Sequence, residues 1–299
     1  MPASPSDAPL PGSPPAGEAR EEPAPRIGVV TGASSGIGLY TALGLARAGM
    51  RVVMIGRDPA RTGAARRFVT EQASGAQVET ALGDFASLAE VRRLAGEILS
   101  RHDRLDLLVN NAGLFSPKFA RSADGYEMTF AVNHLAPFLL TNLLLDRLKA
   151  AAPARIVTVA SRAHHGARID LATITGPRDW SMLKAYSRSK LCNILFTREL
   201  SARLQGTGVV ATSLHPGVVA TTLAQRGGII EIAWRLVKPF MISAEKGAET
   251  SLFLATVPDA TPFNGGYVVR KALAHPDPIA LDADLARRLW DECARLVGL

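Results

Sequence analysis

The chain has 299 residues, 47% of them hydrophobic, with two cysteines and a formal net charge of +7 at pH 7. Two cysteines exclude a disulfide framework, no Cys/His spacing indicates a metal site, and a reducing, cytoplasmic setting is expected. The arginines are scattered, so the charge predicts a solvated surface and a phosphate-bearing ligand, with no nucleic-acid partner. No run approaches the ~18 apolar residues of a transmembrane segment.

The N-terminal segment, residues 1–25, differs in composition from the rest of the chain. It is rich in Pro, Ala, Ser and Glu and has almost no large apolar side chains, so burial cannot offset the entropy lost on ordering. It also lacks the cationic start and apolar core of a signal peptide. We therefore expect a disordered tail followed by one domain, residues 26–299.

A glycine-rich stretch, residues 31–38 (TGASSGIG), follows the β-branched run 27–30 and opens the apolar segment 37–48. Strand, turn and helix are predicted in that order. The glycines permit a sharp turn, close approach of the backbone to a ligand and tight packing of helix on strand. Free N–H groups at the helix start suit a pyrophosphate, although a turn that serves packing alone has the same glycines. The candidate cofactor contacts are Gly32, Ser34, Ser35, Gly36, Ile37 and Gly38.

The second predicted strand, residues 51–56, ends where a dinucleotide-binding fold meets the adenosine ribose. An acid at that position selects NAD(H), but this chain has Gly56 followed by Arg57. A guanidinium pairs with a 2′-phosphate through charge-assisted hydrogen bonds, and the glycine leaves space for the phosphate. NADP(H) is therefore predicted in preference to NAD(H), and a simple surface arginine is the alternative.

Two further predicted strands, residues 77–82 and 105–109, are followed by polar or small residues. After the first, Asp84 can accept a hydrogen bond from an adenine amino group or cap the helix that begins at Ser87. After the second, residues 110–113 (NNAG) allow the backbone to lie along the ribose, and they are also an ordinary turn signal.

A long helix is predicted from residue 123 or 124 to residue 150, and its apolar sequence indicates burial. Asn133 and His134 interrupt the apolar face, and a buried asparagine must find hydrogen-bond partners. Pro137 should kink the helix at this point and free local backbone groups that Asn133 can satisfy.

The fifth predicted strand, residues 155–160, delivers Ser161 to the sheet edge at which open α/β sheets bind ligands. The helix predicted over residues 181–204 carries Tyr186 and Lys190 on one face, because they are four residues apart. An exposed pair without chemical function fits the same spacing. His164 and His165 have no carboxylate or third histidine at ligand spacing, so no metal site is predicted there.

The sixth predicted strand, residues 209–214, leads to Pro216 and Gly217 and then to an apolar segment, residues 228–242. A helix (243–255), a strand (266–270) and a helix (282–296) complete the order. This alternation predicts a single-domain α/β Rossmann fold, with a doubly wound parallel sheet of about seven strands and helices on both faces.

Taken in order, these residues resemble the short-chain dehydrogenase/reductase family over roughly residues 27–299. The motifs that carry the resemblance are TGASSGIG, GDF, NNAG, Asn133, Ser161, Tyr186-x-x-x-Lys190 and Pro216-Gly217. Within the family, the segments NHLAPFLLT, ASRAHHGARID, AYSRSKLCNILFTREL and LHPG look like the retinol-dehydrogenase-like branch, which includes relatives of WW-domain oxidoreductase.

The resemblance implies an NAD(P)-dependent enzyme that interconverts a carbonyl and an alcohol by hydride transfer. Tyr186 would be the general acid/base, with its pKa lowered by Lys190 and the oxidised nicotinamide. Ser161 would bind the substrate oxygen, and Asn133 would hold a proton-relay water. Besides Tyr186 and Lys190, the implied cofactor contacts include Asp84, Phe85, Asn111, Ala112, Gly113, Pro216, Gly217, Val219 and Thr221.

The resemblance also places a substrate lid at residues 218–242 and allows a homodimer. The apolar residues of 228–242 exceed what one helical stripe needs, so a second apolar partner is expected: a lipophilic substrate, a membrane surface or another subunit, with burial within the fold as the alternative. An apolar small-molecule carbonyl or alcohol is predicted as substrate. A protochlorophyllide-reductase-like enzyme has the same fold and the same four polar residues. A non-catalytic NADP-binding regulator has the same fold but usually lacks the tyrosine or the lysine.

Overall fold

The structure is a computed structural model that describes residues 25–176, 178–217 and 242–299. Its strands are β1 Ile27–Thr31, β2 Arg51–Gly56, β3 Val78–Leu82, β4 Leu107–Asn110, β5 Ala154–Val159, β6 Val209–His215, β7 Tyr267–Val269 and β8 Ala272–Leu273. Its main helices in those ranges are α1 Gly36–Arg47, α2 Pro59–Gln72, α3 Leu88–Arg101, α4 Met128–Ala150, α5 Met182–Arg203, α6 Ala244–Thr256 and α7 Ala283–Val297. Most of the predicted tail and of the predicted lid, with Val219 and Thr221, lies outside the described residues.

The strands form one sheet in the order β3-β2-β1-β4-β5-β6-β7-β8. All neighbours from β3 to β7 are parallel, which confirms the predicted doubly wound sheet. The sheet has eight strands, because β8 returns antiparallel to β7. Arg270 and Lys271 make that turn with positive φ values of 51° and 67°, conformations usually taken by Asn or Gly, so the sequence contains no ordinary hairpin signal there.

Helices cover both faces of the sheet. On one face α1, α2 and α6 enclose an apolar cluster, and on the other α3, α4, α5 and α7 enclose a larger one. Helices α1 and α6 cross closely, because a Cβ at Gly44 would lie 2.5 Å from Leu252 Cδ1. Helix α7 packs against α5, with the rings of Phe196 and Trp290 stacked at 5.7 Å.

Helix α4 begins at Met128, later than predicted, because Gly125 has a φ of +84° and interrupts the helical backbone. The Glu127 carboxylate then caps the helix by accepting hydrogen bonds from Thr129 N at 3.0 Å and Phe130 N at 2.8 Å. An uncapped helix start inside the domain would leave these N–H groups unsatisfied.

The predicted irregularity near Pro137 is a π-helical segment, Ala131–Leu135, directly before the α-helical part Ala136–Ala150. Such segments are frequent at functional sites, and this one contains Asn133 and His134. Helix α4 has the length and apolar composition of a membrane span, which the sequence analysis overlooked, and 78% of its most apolar window is buried inside the fold.

Candidate active site

The strand order reverses between β1 and β4, the place where open α/β sheets bind their ligands. Thr31, at the end of β1, joins the two loops there: its Oγ1 accepts hydrogen bonds from Asn111 N at 3.0 Å and Ala112 N at 2.9 Å. The Asn111 side chain donates to Thr31 O at 2.8 Å and to Gly32 O at 3.3 Å. The side-chain amide of Asn111 therefore holds the glycine loop, and Thr31 holds the backbone N–H groups of Asn111 and Ala112. The sequence analysis missed Thr31, although it opens the glycine motif.

The glycine loop has the backbone that its sequence predicts. Gly32 and Gly36 have φ values of +65° and +59°, which confirms the turn. A Cβ at Gly38 would lie 2.4 Å from both Asn111 Nδ2 and Gly32 O, which confirms that this glycine permits close packing of helix α1.

The N-terminus of α1 is oriented toward the loop and lacks a side-chain cap. Its N-cap residue, Ser35, forms no capping hydrogen bond, and the first turn contains no acidic residue. Ser34, Ser35, Gly36 and Ile37 are half-buried around it. The first N–H groups of the helix, with the positive end of its dipole, are thus suited to bind an anion such as a pyrophosphate.

Arg57 and Asp84 lie together after β2 and β3, with Arg57 Nη1 3.8 Å from Asp84 Oδ2. The Arg57 side chain is 65% exposed, so it can turn toward a ligand. Packing also requires a glycine at position 56, because a Cβ there would lie 2.1 Å from Thr62 Oγ1. The space that Gly56 leaves for a 2′-phosphate stays a prediction.

The residues after β3 differ in part from expectation. Ser87, not Asp84, caps α3, by accepting a hydrogen bond from Glu90 N at 3.4 Å. Asp84 Oδ1 accepts from Ala86 N at 3.0 Å, and its other oxygen faces Arg57. The Phe85 side chain is buried in the core, so only its backbone can meet a cofactor.

Asn133 was predicted to satisfy backbone groups of its own helix. Instead, its side chain hydrogen-bonds Leu114, 19 residues earlier in the sequence. Its Oδ1 accepts from Leu114 N at 2.7 Å, and its Nδ2 donates to Leu114 O at 3.0 Å and to Ser189 Oγ at 3.1 Å. Asn133 thereby fixes the loop that follows β4. A Cβ at Gly113 would lie 3.4 Å from Asn133 Oδ1 and 3.7 Å from Lys190 Nζ, so these three residues adjoin.

Lys190 lies one helical turn after Tyr186 and is buried. Its Nζ donates a hydrogen bond to Val159 O at 2.9 Å and stands 5.5 Å from the centroid of the Tyr186 ring. Burial lowers the pKa of Lys190 to about 8, because desolvation disfavours the charged form.

Tyr186 is partly buried, and burial raises its pKa to about 12, an effect that hydrogen bonding with Ser161 only partly offsets. This direction is opposite to the lowering expected from Lys190. The ring of Phe115 stacks on that of Tyr186, with centroids 3.7 Å apart and planes at 20°. The sequence analysis missed Phe115, because nothing in the sequence shows that the loop after β4 packs on α5.

Ser161 follows β5, and its position is fixed by its neighbours. Its Oγ accepts from Ala163 N at 3.2 Å, and its carbonyl accepts from His164 Nδ1 at 2.6 Å. The other ring nitrogen of His164 accepts from Asp277 N at 3.0 Å. The buried His164 ring thus links the loop at Ser161 to the C-terminal segment, because both of its ring nitrogens form hydrogen bonds.

Pro216 and Gly217 follow β6 at the same edge of the sheet. Gly217 has a φ of +95°, and a Cβ there would lie 2.5 Å from Ile242 Cδ1. The two ends of the predicted lid segment therefore meet beside the ends of the central strands. Within the described ranges, no group of three or more His, Cys, Asp or Glu side chains is placed to hold a metal ion.

Comparison with known protein families gives a match to the short chain dehydrogenase model over residues 26–228. The chain belongs to the short-chain dehydrogenase family. It is 42% identical over 282 residues to human retinol dehydrogenase 13, covering 91% of this chain and 84% of that protein. It is an oxidoreductase of the NAD(P)-dependent short-chain type, acting on CH–OH donors and on a small-molecule substrate.

Solved structures have the same fold. A Mycobacterium paratuberculosis protein of uncharacterised function is 35% identical, with a TM-score of 0.75, and the match covers 91% of this chain and 93% of that one. A protein of Beutenbergia cavernae, solved with bound NADP at low occupancy, is 28% identical, with a TM-score of 0.65 and coverage of 82% and 94%.

Proposed function

We propose that this protein is an NADP(H)-dependent oxidoreductase that interconverts an apolar carbonyl compound and the corresponding alcohol, with Tyr186 as general acid and base. One observation carries the proposal. Tyr186 lies next to Ser161, with the Lys190 ammonium 5.5 Å from its ring centroid, and beside the loop that Asn133 holds. An acid/base, an oxygen-binding hydroxyl and a buried cation therefore converge at the edge of the sheet to which the glycine loop belongs.

The cofactor would be held by elements that need little rearrangement. The uncapped start of α1 suits the pyrophosphate, and the backbone of residues 111–113 borders the site next to Lys190. Arg57 supports NADP(H), because its exposed guanidinium stands after β2, where an acid would select NAD(H). NADP in the Beutenbergia protein is consistent with this choice. When bound, the nicotinamide supplies or accepts the hydride.

Side chains of this protein then supply the proton to the substrate and stabilise the negative charge that develops. In carbonyl reduction the Tyr186 phenol donates its proton to the substrate oxygen while the Ser161 hydroxyl binds the same oxygen. Lys190, held through Val159 O, stabilises the negative charge left on the phenolate. The raised pKa of Tyr186 keeps the phenol protonated at neutral pH, which is the form that reduction requires.

The apolar substrate class is supported by the side chains around Tyr186. Phe115 covers one face of its ring, and Leu183, 66% exposed, lies one helical turn before it. The name of the human relative, a retinol dehydrogenase, points to the same class. Exposed apolar side chains beside a reacting group favour an apolar ligand.

A panel of carbonyl compounds tests this function. NADPH oxidation, followed by absorbance, should be faster with long-chain or polyene aldehydes than with acetone or a ketose, and kcat/KM should rise with apolar size because a larger ligand buries more apolar surface. Trp234→Ala, in the predicted lid, should raise KM for the large aldehydes more than for acetone. Preference for the polar ketose, or faster turnover with NADH, would contradict the proposal.

A further inference from the structure

A chain of buried polar groups connects α7 to Lys190. Cys293 Sγ lies 3.3 Å from His134 Nε2, and His134 Nδ1 lies 3.0 Å from Asn193 Oδ1. Asn193 Nδ2 in turn donates to Val159 O at 3.3 Å. Val159 O is the carbonyl to which Lys190 Nζ donates at 2.9 Å. The chain of contacts thus runs from the C-terminal helix through α4 and α5 to the end of β5.

The donor and acceptor of each hydrogen bond in this network follow from the Val159 carbonyl at its end. Because Val159 O can only accept, Asn193 presents its NH₂ group there and its oxygen to His134. The Nδ1 atom of His134 must therefore carry the proton, and its bare Nε2 accepts from the Cys293 thiol. Burial supports both states, because it lowers the pKa of His134 to about 4 and raises that of Cys293. A neutral Nδ1–H imidazole and an intact thiol satisfy every member without burying a charge.

Fully buried polar groups are costly in a core that apolar side chains could fill. His134, Asn193 and Cys293 are at most 2% exposed, and helices α4, α5 and α7 pack around them. We propose that His134 and Asn193 are positioning residues for Lys190, and that Cys293 fixes the tautomer of His134. Asn193 orients the Val159 carbonyl, and that carbonyl sets where the ammonium stands relative to the Tyr186 ring. This inference rests on the proposed function of Lys190.

The two buried cysteines provide a matched test. Cys192 and Cys293 are both completely buried, but within the described part of the chain only Cys293 hydrogen-bonds a side chain. Cys293→Ala should lower kcat for carbonyl reduction by about fivefold with KM nearly unchanged, because a displaced catalytic group slows chemistry more than binding. Cys293→Ser keeps a donor to His134 and should restore most of the loss. Cys192→Ala, which removes the same volume, should leave kcat unchanged.

Asn193→Leu is the second variant, since it removes both hydrogen bonds but keeps the side-chain volume. We expect kcat of the folded enzyme to fall by about tenfold or more, together with a lower melting temperature, because the buried His134 Nδ1–H loses its acceptor. A purely structural role would lower the melting temperature but spare kcat in the folded enzyme. Equal kcat losses in Cys192→Ala and Cys293→Ala, or no rescue by serine, would also overturn the proposal.

A readout that needs no turnover separates this inference from the proposed function. In protein labelled with ¹⁵N-histidine, the wild-type His134 ring should show a proton on Nδ1 and none on Nε2 by long-range NMR correlation, with assignment by a His134→Gln variant. A proton on Nε2 would overturn the network even if the enzyme is active. The Nδ1–H form in a protein that reduces no carbonyl would contradict the proposed function and leave the network intact.

Discussion

Lys190 sets an upper pH limit on the proposed reaction. With a pKa near 8, its ammonium loses the proton as the pH rises through that value, whereas Tyr186, with a pKa near 12, stays protonated. We predict that kcat/KM for carbonyl reduction is flat below pH ~7 and falls by about tenfold per unit above pH ~8, since the profile reports the free enzyme. Lys190→Arg should abolish this alkaline limb, because arginine stays charged. A limb that persists in the arginine variant would assign it to another group.

The side chain of Arg57 carries the predicted preference for NADP(H). Because its guanidinium is exposed and free to turn from Asp84, Arg57→Ala should weaken NADPH binding by about 1.5–3 kcal/mol, the range of a charged hydrogen bond, and leave NADH almost unchanged. Titration of cofactor fluorescence measures both affinities. Arg67→Ala on the exposed side of α2 removes the same charge and should have little effect on either. Equal losses for both cofactors would reject the assignment of Arg57.

The glycine loop and helix α1 pack in close contact at Gly38. Gly38→Ala should lower the free energy of unfolding by about 1–3 kcal/mol, because its Cβ would press on Asn111 Nδ2 and Gly32 O at 2.4 Å. Gly96→Ala is the matched control in α3, where a Cβ meets nothing within 4 Å, and it should stabilise by about 0.5–1 kcal/mol. Urea unfolding measures both. A neutral Gly38→Ala would show that the loop relaxes freely.

The elements also show what local sequence determines. The order of strands and helices, and the turn at Gly32, follow from patterns a few residues long, and the structure confirms them. The later start of α4 depends on one glycine and one carboxylate cap, whose effect no periodicity reports. Strand β8 exists because Arg270 and Lys271 take positive φ under tertiary constraint. Such exceptions arise where packing overrides local preference.

At the scale of the whole molecule, buried histidines make stability depend on pH. Burial lowers the pKa values of His134 and His215 to about 4, whereas the unfolded chain takes up those protons below about 6.5. The unfolded state therefore binds more protons between these values, and stability is lost as the pH falls through that window. We predict a loss from His134 of about 2 kcal/mol between pH 7 and pH 5, measured by urea unfolding.

Two substitutions test whether buried histidines cause the pH dependence of stability. His215→Asn should reduce the difference in unfolding free energy between pH 7 and pH 5, because asparagine does not titrate but can still accept the hydrogen bond from Arg162 N. His275→Asn, at an exposed histidine, should leave the difference unchanged. The same reduction in both variants would assign the effect to general charge rather than to burial.

The sequence predicted the parts of the candidate site that depend on local patterns. It did not predict the contacts between segments that are distant in the sequence. Strand ends and helical spacing predicted the positions of Ser161, Tyr186 and Lys190, the family resemblance supplied their roles, and the structure brings them together. The partners of Asn133, the stacking of Phe115 and the role of Thr62 beside Gly56 depend on contacts between separate elements. The raised pKa of Tyr186 was missed for the same reason, since burial is a property of the assembled fold.

The most direct test of the whole account is Tyr186→Phe, measured as NADPH oxidation with the best apolar aldehyde. The variant removes only the proton donor and keeps the ring that stacks on Phe115, so the fold and NADPH affinity should be preserved. We predict that kcat falls by at least about 100-fold, the lower end of general acid catalysis, with NADPH affinity unchanged. Near-normal turnover by Tyr186→Phe would contradict the assignment of Tyr186 as the catalytic acid.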